Sequence, residues 1–116
     1  TILRAMATRV GATNSSISSG TYTIDFPPVA GTAITFSNIT QTSVRVNWGA
    51  ASDAITATAS LQYKLVKDDT SAANINSVAL ANAKSGSDLV MNWTSGTTSR
   101  TVTGLNSGAT FHFAVL

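Results

Sequence analysis

Few side chains in this sequence are equipped for chemistry. The one histidine is His112, and the acids are Asp25, Asp53, Asp68, Asp69 and Asp88, with no glutamate and no cysteine. A nucleophilic relay needs a histidine held between a hydroxyl and a carboxylate. His112 lies in an alternating run, residues 110–116, on the face opposite Phe111 and Phe113. That periodicity predicts a solvent-facing strand histidine. A glycosidase needs two carboxyls about 5–9 Å apart, and no spacing among the five aspartates suggests such a pair. Asp68-Asp69 with Asn74 or Asn76 offers the clustered oxygens a calcium ion takes, without a calcium-loop signature, so an ordinary acidic turn is the favoured reading. Asp53, in Gly49-Ala50-Ala51-Ser52-Asp53, is expected to bond backbone N–H groups of its own loop. No catalytic residue, resident cofactor or metal is expected.

Two aromatic residues, Tyr22 and Trp93, are candidate sugar-stacking platforms. Trp93 falls in step with Leu89 and Met91, which predicts packing toward a core rather than a free face. Asn14-Ser15-Ser16, Asn38-Ile39-Thr40 and Asn92-Trp93-Thr94 fit the N-glycosylation pattern, at a frequency that Ser, Thr and Asn richness explains. The cations Arg4, Arg9, Arg45, Lys64, Lys67, Lys84 and Arg100 are scattered and give a formal charge of only +2. Nucleic-acid binding calls for clustered basic residues, so isolated solubilising charges are expected instead.

The elements that would position these residues are strands. Only 10% of the 116 residues are charged while 43% are hydrophobic, and threonine suits a pleated, half-buried surface. The length suits one compact domain with a small appendage. Without cysteine there is no disulfide or thiolate site, and no apolar run approaches the ~18 residues of a membrane helix. Residues 2–10 and 21–26, separated by the turn-rich residues 11–20, read as a hairpin. Two strands alone are marginal in water, so this hairpin needs a sheet to join. Residues 27–32, opening on Pro27-Pro28, read as a linker.

Beyond it, short strands recur at regular spacing. Ile34, Phe36 and Ile39 mark the first; Val44, Val46 and Trp48 share one face of the second. Leu61, Tyr63 and Leu65 line the third, with Gln62 and Lys64 outward. Leu89, Met91 and Trp93 line the fourth, residues 100–105 form the fifth, and Phe111, Phe113 and Val115 face inward on the sixth. Such alternation predicts one buried and one wet face. Residues 71–83 break the pattern: Ile75, Val78, Ala79 and Leu80 fit one or two helical turns, with Thr70 or Ser71 as N-cap.

Four segments in order carry a family resemblance. They are Ser43-Val44-Arg45-Val46-Asn47-Trp48, Leu61-Gln62-Tyr63-Lys64-Leu65, Val102-Thr103-Gly104-Leu105, and residues 107–115. With them residues 33–116 resemble a fibronectin type III domain. The resemblance implies an all-β, immunoglobulin-like β-sandwich in which a seventh strand follows the sixth; the sequence ends without it. Phe111 stands where the family places the tyrosine of a tyrosine corner, keeping its packing and losing a hydrogen bond worth roughly 1 kcal/mol. Residues 2–11, 14–16 and 22–24 resemble the last two strands of an immunoglobulin-like β-domain found beside chitobiase and in bacterial multidomain surface proteins. Residues 1–26 would then be the terminal hairpin of a preceding β-domain, or a donor-strand segment. The chain is accordingly expected to be a slice of a larger polypeptide or a unit completed by a neighbour.

These readings imply a non-catalytic extracellular or cell-surface module, a structural or filament-building part of a bacterial protein, whose partners are neighbouring modules or copies of itself. Strand complementation would use the edges carrying Ile2, Leu3, Ala5, Ala7 and Arg9 at one end and Phe111, Phe113 and Val115 at the other. The alternative is a carbohydrate-binding accessory domain of a secreted glycoside hydrolase, with Tyr22 or Trp93 as platform.

Overall fold

A computed structural model describes residues 1–116. The chain is all-β: eight short strands in antiparallel sheets, with one helix of six residues. A two-stranded hairpin pairs β1 (Ile2–Ala5) with β2 (Ser18–Thr21). One three-stranded sheet has the order β3 (Thr35–Ser37), β4 (Val44–Asn47), β7 (Ser99–Val102). The other has the order β6 (Leu89–Ser95), β5 (Gln62–Asp68), β8 (His112–Val115). No helix is long and apolar enough to cross a membrane.

The two larger sheets close on one core. Val44, Val46 and Trp48 come from β4 and its end, Val102 from β7, Tyr63 and Leu65 from β5, and Met91 from β6. Val46 and Leu65 have no exposed surface at all. The period-two pattern explains this, since Val44, Val46 and Trp48 all point to one side of a pleated strand. Trp48 and Tyr63 meet at a tilted 6.0 Å, and the Tyr63 hydroxyl accepts the Ala51 N–H at 2.8 Å, pinning the loop after β4. Asp53 holds the next turn, its Oδ1 accepting from Ile55 and Thr56 N–H at 2.7 Å each. Those two bonds keep its carboxyl below the usual range.

The outer face of β5–β8 differs from the expected wet surface. Val66 is fully buried there with Ile75 and Ala81, and Leu89, Ala114 and Leu116 pack against them. The cover is the segment expected to be helical: a 3₁₀ turn at Ala72–Ile75, then α1 at Val78–Ala83. Ser71 caps the turn by accepting from Ala73 N–H and Ser77 caps α1 by accepting from Leu80 N–H. Lys64, expected outward on a wet face, is buried instead, and its Nζ donates to the Asn82 carbonyl at 2.6 Å and to Asn82 Oδ1 at 3.2 Å. Alternation identifies the two faces of a strand but not whether a later segment folds over the second one.

Two strand expectations need correcting. The hairpin is shorter and in a different register from the one read in the sequence. Ala12 N–H bonds the Arg9 carbonyl around Gly11, whose φ is +79°, and Ser15 N–H bonds the Ala7 carbonyl. This turn sets Ile2 opposite Thr21, because loop geometry fixes hairpin register. Residues 6–10 therefore leave β1, and residues 22–26 run past its start. Only Tyr22 finds a partner there, exchanging hydrogen bonds with Thr1 at 2.9 and 3.0 Å.

The second correction is Trp93. The β5–β6 pairing shifts register twice, so Val66 faces Leu89, Leu65 faces Met91 and Tyr63 faces Thr94. Each one-residue slip moves the following side chains to the other face. Thr94 thus shares the side of Tyr63, and Trp93 is turned out and 45% exposed.

The hairpin does not join either larger sheet. Every residue from 1 to 30 is exposed, and the molecule extends 85 × 24 × 19 Å. The linker meets the sandwich only at its far end. Val29 and Ser52 exchange hydrogen bonds at 2.7 and 2.9 Å, and Gly49 N–H donates to the Thr32 carbonyl at 3.3 Å. The approach is so close that a Cβ on Gly31 would stand 2.3 Å from the Gly49 carbonyl oxygen. Pro27-Pro28, stiff and without N–H donors, separates that anchor from the free segment at residues 23–26.

Candidate strand-docking edge

The β8 edge gathers the site residues expected at the end of the sequence. On one side β8 pairs with β5, setting Leu65, Val66, Lys67 and Asp68 opposite Val115, Ala114, Phe113 and His112. Lys64 and Leu116 exchange both backbone hydrogen bonds, at 3.0 and 2.9 Å. Because antiparallel residues alternate in the direction of their backbone groups, Ala114 and His112 also turn theirs toward β5. Phe113 and Val115 turn theirs to the open edge, where no strand of these 116 residues lies. Their side chains point the other way out of the pleat, onto the main core.

Beside that edge runs an apolar trench between β8 and β3. Its first hollow, about 290 Å³, is lined by Phe36, Ile39, Val44, Leu105, Phe111 and Phe113. The second, about 240 Å³, is lined by Ile34, Trp48, Ala51, Tyr63, Val115 and Leu116. Between them Phe36 and Phe113 meet at a tilted 5.7 Å, and Phe36 stays 51% exposed. A third hollow of about 150 Å³ lies on the outer face, between Val78 and Ala81 of α1 and Ala114 and Leu116. Apolar surface of this kind beside unpaired backbone is what an added strand covers.

Phe111 lies at the start of this edge, half-buried, with the Lys67 ammonium 5.5 Å from its ring centre. This cation–π contact, worth about 0.5–1 kcal/mol at an accessible site, had no signal in the sequence, because Lys67 and Phe111 are brought together only by the β5–β8 register. His112 is half-buried rather than solvent-facing, with Asp68 opposite it in the β5–β8 register.

The acidic turn at Asp68 is committed to structure. Its carboxylate accepts from Thr70 and Ser71 N–H at 2.9 and 2.8 Å, from Asn74 Nδ2 at 3.2 Å, and from the Lys84 ammonium. Lys84 also reaches Asp88 at 3.0 Å. Lys84 first, then the two amides, hold the Asp68 carboxyl far below its usual range, while Asp68 and then Asp88 raise Lys84. The Asp68 oxygens, the alternative calcium ligands, thus face donors, as in the ordinary acidic turn favoured from the sequence. The network ties the helical cover to β5, and none of its hydrogen bonds reaches His112.

The other predicted edge residues lie on the hairpin. Ile2, Leu3 and Ala5 belong to β1 and are already paired with β2. Ala7 bonds to Ser15, and Arg9 holds the turn. Tyr22, 51% exposed, begins an extended stretch in which Ile24 and Phe26 are also free, at 64% and 75%. The structure therefore presents both proposed sugar platforms, Tyr22 and Trp93, on different elements. Compared with known proteins, the chain matches no family model and no curated protein.

Proposed function

We propose that the chain is a non-catalytic structural and interaction module of an extracellular or cell-surface protein, built on a fibronectin type III-like sandwich and associating by β-strand addition. The observation that carries this reading is the β8 edge, with outward Phe113 and Val115 backbone groups flanked by two apolar hollows. The strand order supports it as well. The first, second and fifth sandwich strands form one sheet and the fourth, third and sixth the other, which is the pairing of the first six strands of an immunoglobulin-type sandwich. Head-to-tail strand addition builds open filaments unless it closes into a ring.

The test is native mass against concentration, read together with amide exchange. A ladder of oligomers, with protection of the Phe113 and Val115 amides growing as they form, is the expected result. A monomer at every concentration overturns the reading. So does a monomer whose Phe113 and Val115 amides are protected, since one chain would then fill its own edge. The same monomeric protection in a polypeptide continuing past Leu116 would assign the slot to the residues that follow.

Carbohydrate binding is the second reading, favoured by the exposure of Trp93 and Tyr22. Aromatic faces stack on sugars, but here they stand singly on separate elements. Retention on insoluble chitin or cellulose, lost in Trp93→Ala, would support it; passage through both matrices removes it.

A further inference from the structure

We infer that the strand entering the β8 slot is the segment 22–26 of a second copy, and not the β1 strand; this rests on the strand-addition reading above. The β1 backbone is already spent on β2. The segment Tyr22-Thr23-Ile24-Asp25-Phe26 alternates apolar and polar, stands exposed, and has no strand partner beyond the Tyr22–Thr1 pair at the hairpin end. It is a strand in pattern without a sheet.

The pleat restricts how it can dock. Ile24 and Phe26 must face the trench, so their backbone groups turn toward the outward groups of β8. In antiparallel register Tyr22 lies opposite Val115, Ile24 opposite Phe113 and Phe26 opposite Phe111. Tyr22 then sits at the Trp48–Tyr63 hollow, Ile24 beside the Phe36–Phe113 contact, and Phe26 at the Ile39–Leu105 hollow. On the outer face Asp25, whose Oδ1 accepts from Phe26 N–H at 2.9 Å in the free arm, comes opposite His112, and Thr23 comes opposite Ala114 beside α1. The Tyr22–Thr1 bonds at the end of the hairpin, and the bond from Phe26 N–H to Asp25 Oδ1, must be exchanged.

A 22–26 donor is drawn from another copy rather than from its own chain. Val29 is tied to Ser52, and the residues after it line the hollow at the Val115 end. Antiparallel docking puts Phe26 beside Phe111, four residues or about 13 Å further along β8. Two residues separate Phe26 from Val29, and the three Cα steps between them span at most about 10–11 Å. With Pro27-Pro28 between them the segment is held away from its own edge.

The absence of cysteine permits a direct test. Thr23 and Ala114 would form a non-hydrogen-bonded cross-strand pair, whose Cα separation of about 4.5 Å lies within disulfide reach. Thr23→Cys and Ala114→Cys proteins are mixed and oxidised. A cross-linked heterodimer at several-fold higher yield than either protein alone gives, together with loss of assembly in Ile24→Asp at unchanged unfolding midpoint, is the expected outcome. Assembly that survives Ile24→Asp, with Leu3→Cys capturing Ala114→Cys instead, overturns this inference and leaves strand addition by β1 standing. Failure of the unmodified chain to assemble at all overturns both.

Discussion

Truncating Leu65 to alanine should separate the core-bearing sandwich from the exposed arm. Leu65 has no exposed surface and lies where Val46, Met91, Phe113 and Val115 converge between the sheets. Removing a buried leucine side chain costs about 2–5 kcal/mol, the higher values where the surroundings cannot collapse. Strands from both sheets fix this site, so we take about 3 kcal/mol. For a domain of 60–100 residues each kcal/mol shifts Tm by about 4–8 °C, which gives a fall of about 12–24 °C. That is a large share of the 5–15 kcal/mol typical of a domain. Ile24→Ala, on the exposed arm, should stay within about 0.5 kcal/mol. Both are read from urea unfolding of dilute monomer, with the dependence on urea concentration unchanged. A Leu65→Ala loss below about 1 kcal/mol, or an equal loss for Ile24→Ala, would refute this division into core and arm.

Acid should loosen the helical cover. Asp68 is held far below its ordinary value by Lys84 and the Ser71 and Thr70 amides, so its contribution is complete above about pH 4 and is lost as pH falls through the depressed folded value. Lys84 is raised, so its share is complete below about pH 10 and is lost as pH rises through the folded value. Urea midpoints measured from pH 2 to 6 should slope less in Asp68→Asn than in the unmodified protein; identical slopes would contradict the geometry. Gly49→Ala places a Cβ 2.3 Å from Thr32 N and should cost about 1–3 kcal/mol, with faster exchange of the Val29 and Ser52 amides; an unchanged midpoint would argue against the close crossing. Trp93→Ala should leave stability within about 0.5 kcal/mol, whereas a loss of 3 kcal/mol or more in thermal unfolding would return Trp93 to the core.

Much of the sandwich was legible because period two is a local property. Val44, Val46 and Trp48 reach the core as their alternation requires, and so do Tyr63 with Leu65 and Phe113 with Val115. The helical break at residues 71–83 was legible for the same reason, through Ser71 as a cap and local spacing, although Ser77, which caps α1, was not read from the sequence. Trp93 shows the limit. Its place in the sequence matches Leu89 and Met91, yet two register shifts against β5 turn it outward, and a bulge depends on the partner strand as much as on its own.

The sequence by itself determined the all-β class, most strand positions and the scarcity of catalytic groups, all of which follow from composition and local pattern. Tertiary structure decided which faces were covered. Lys64 was buried and Ala114 partly covered by a segment distant in sequence, and Lys67 was brought over Phe111 by strand register. It also decided which strand remained free. A turn around Gly11 set the hairpin register, occupied β1 and left residues 23–26 without a partner, because backbone hydrogen bonds are shared between strands and no single segment specifies its own neighbour.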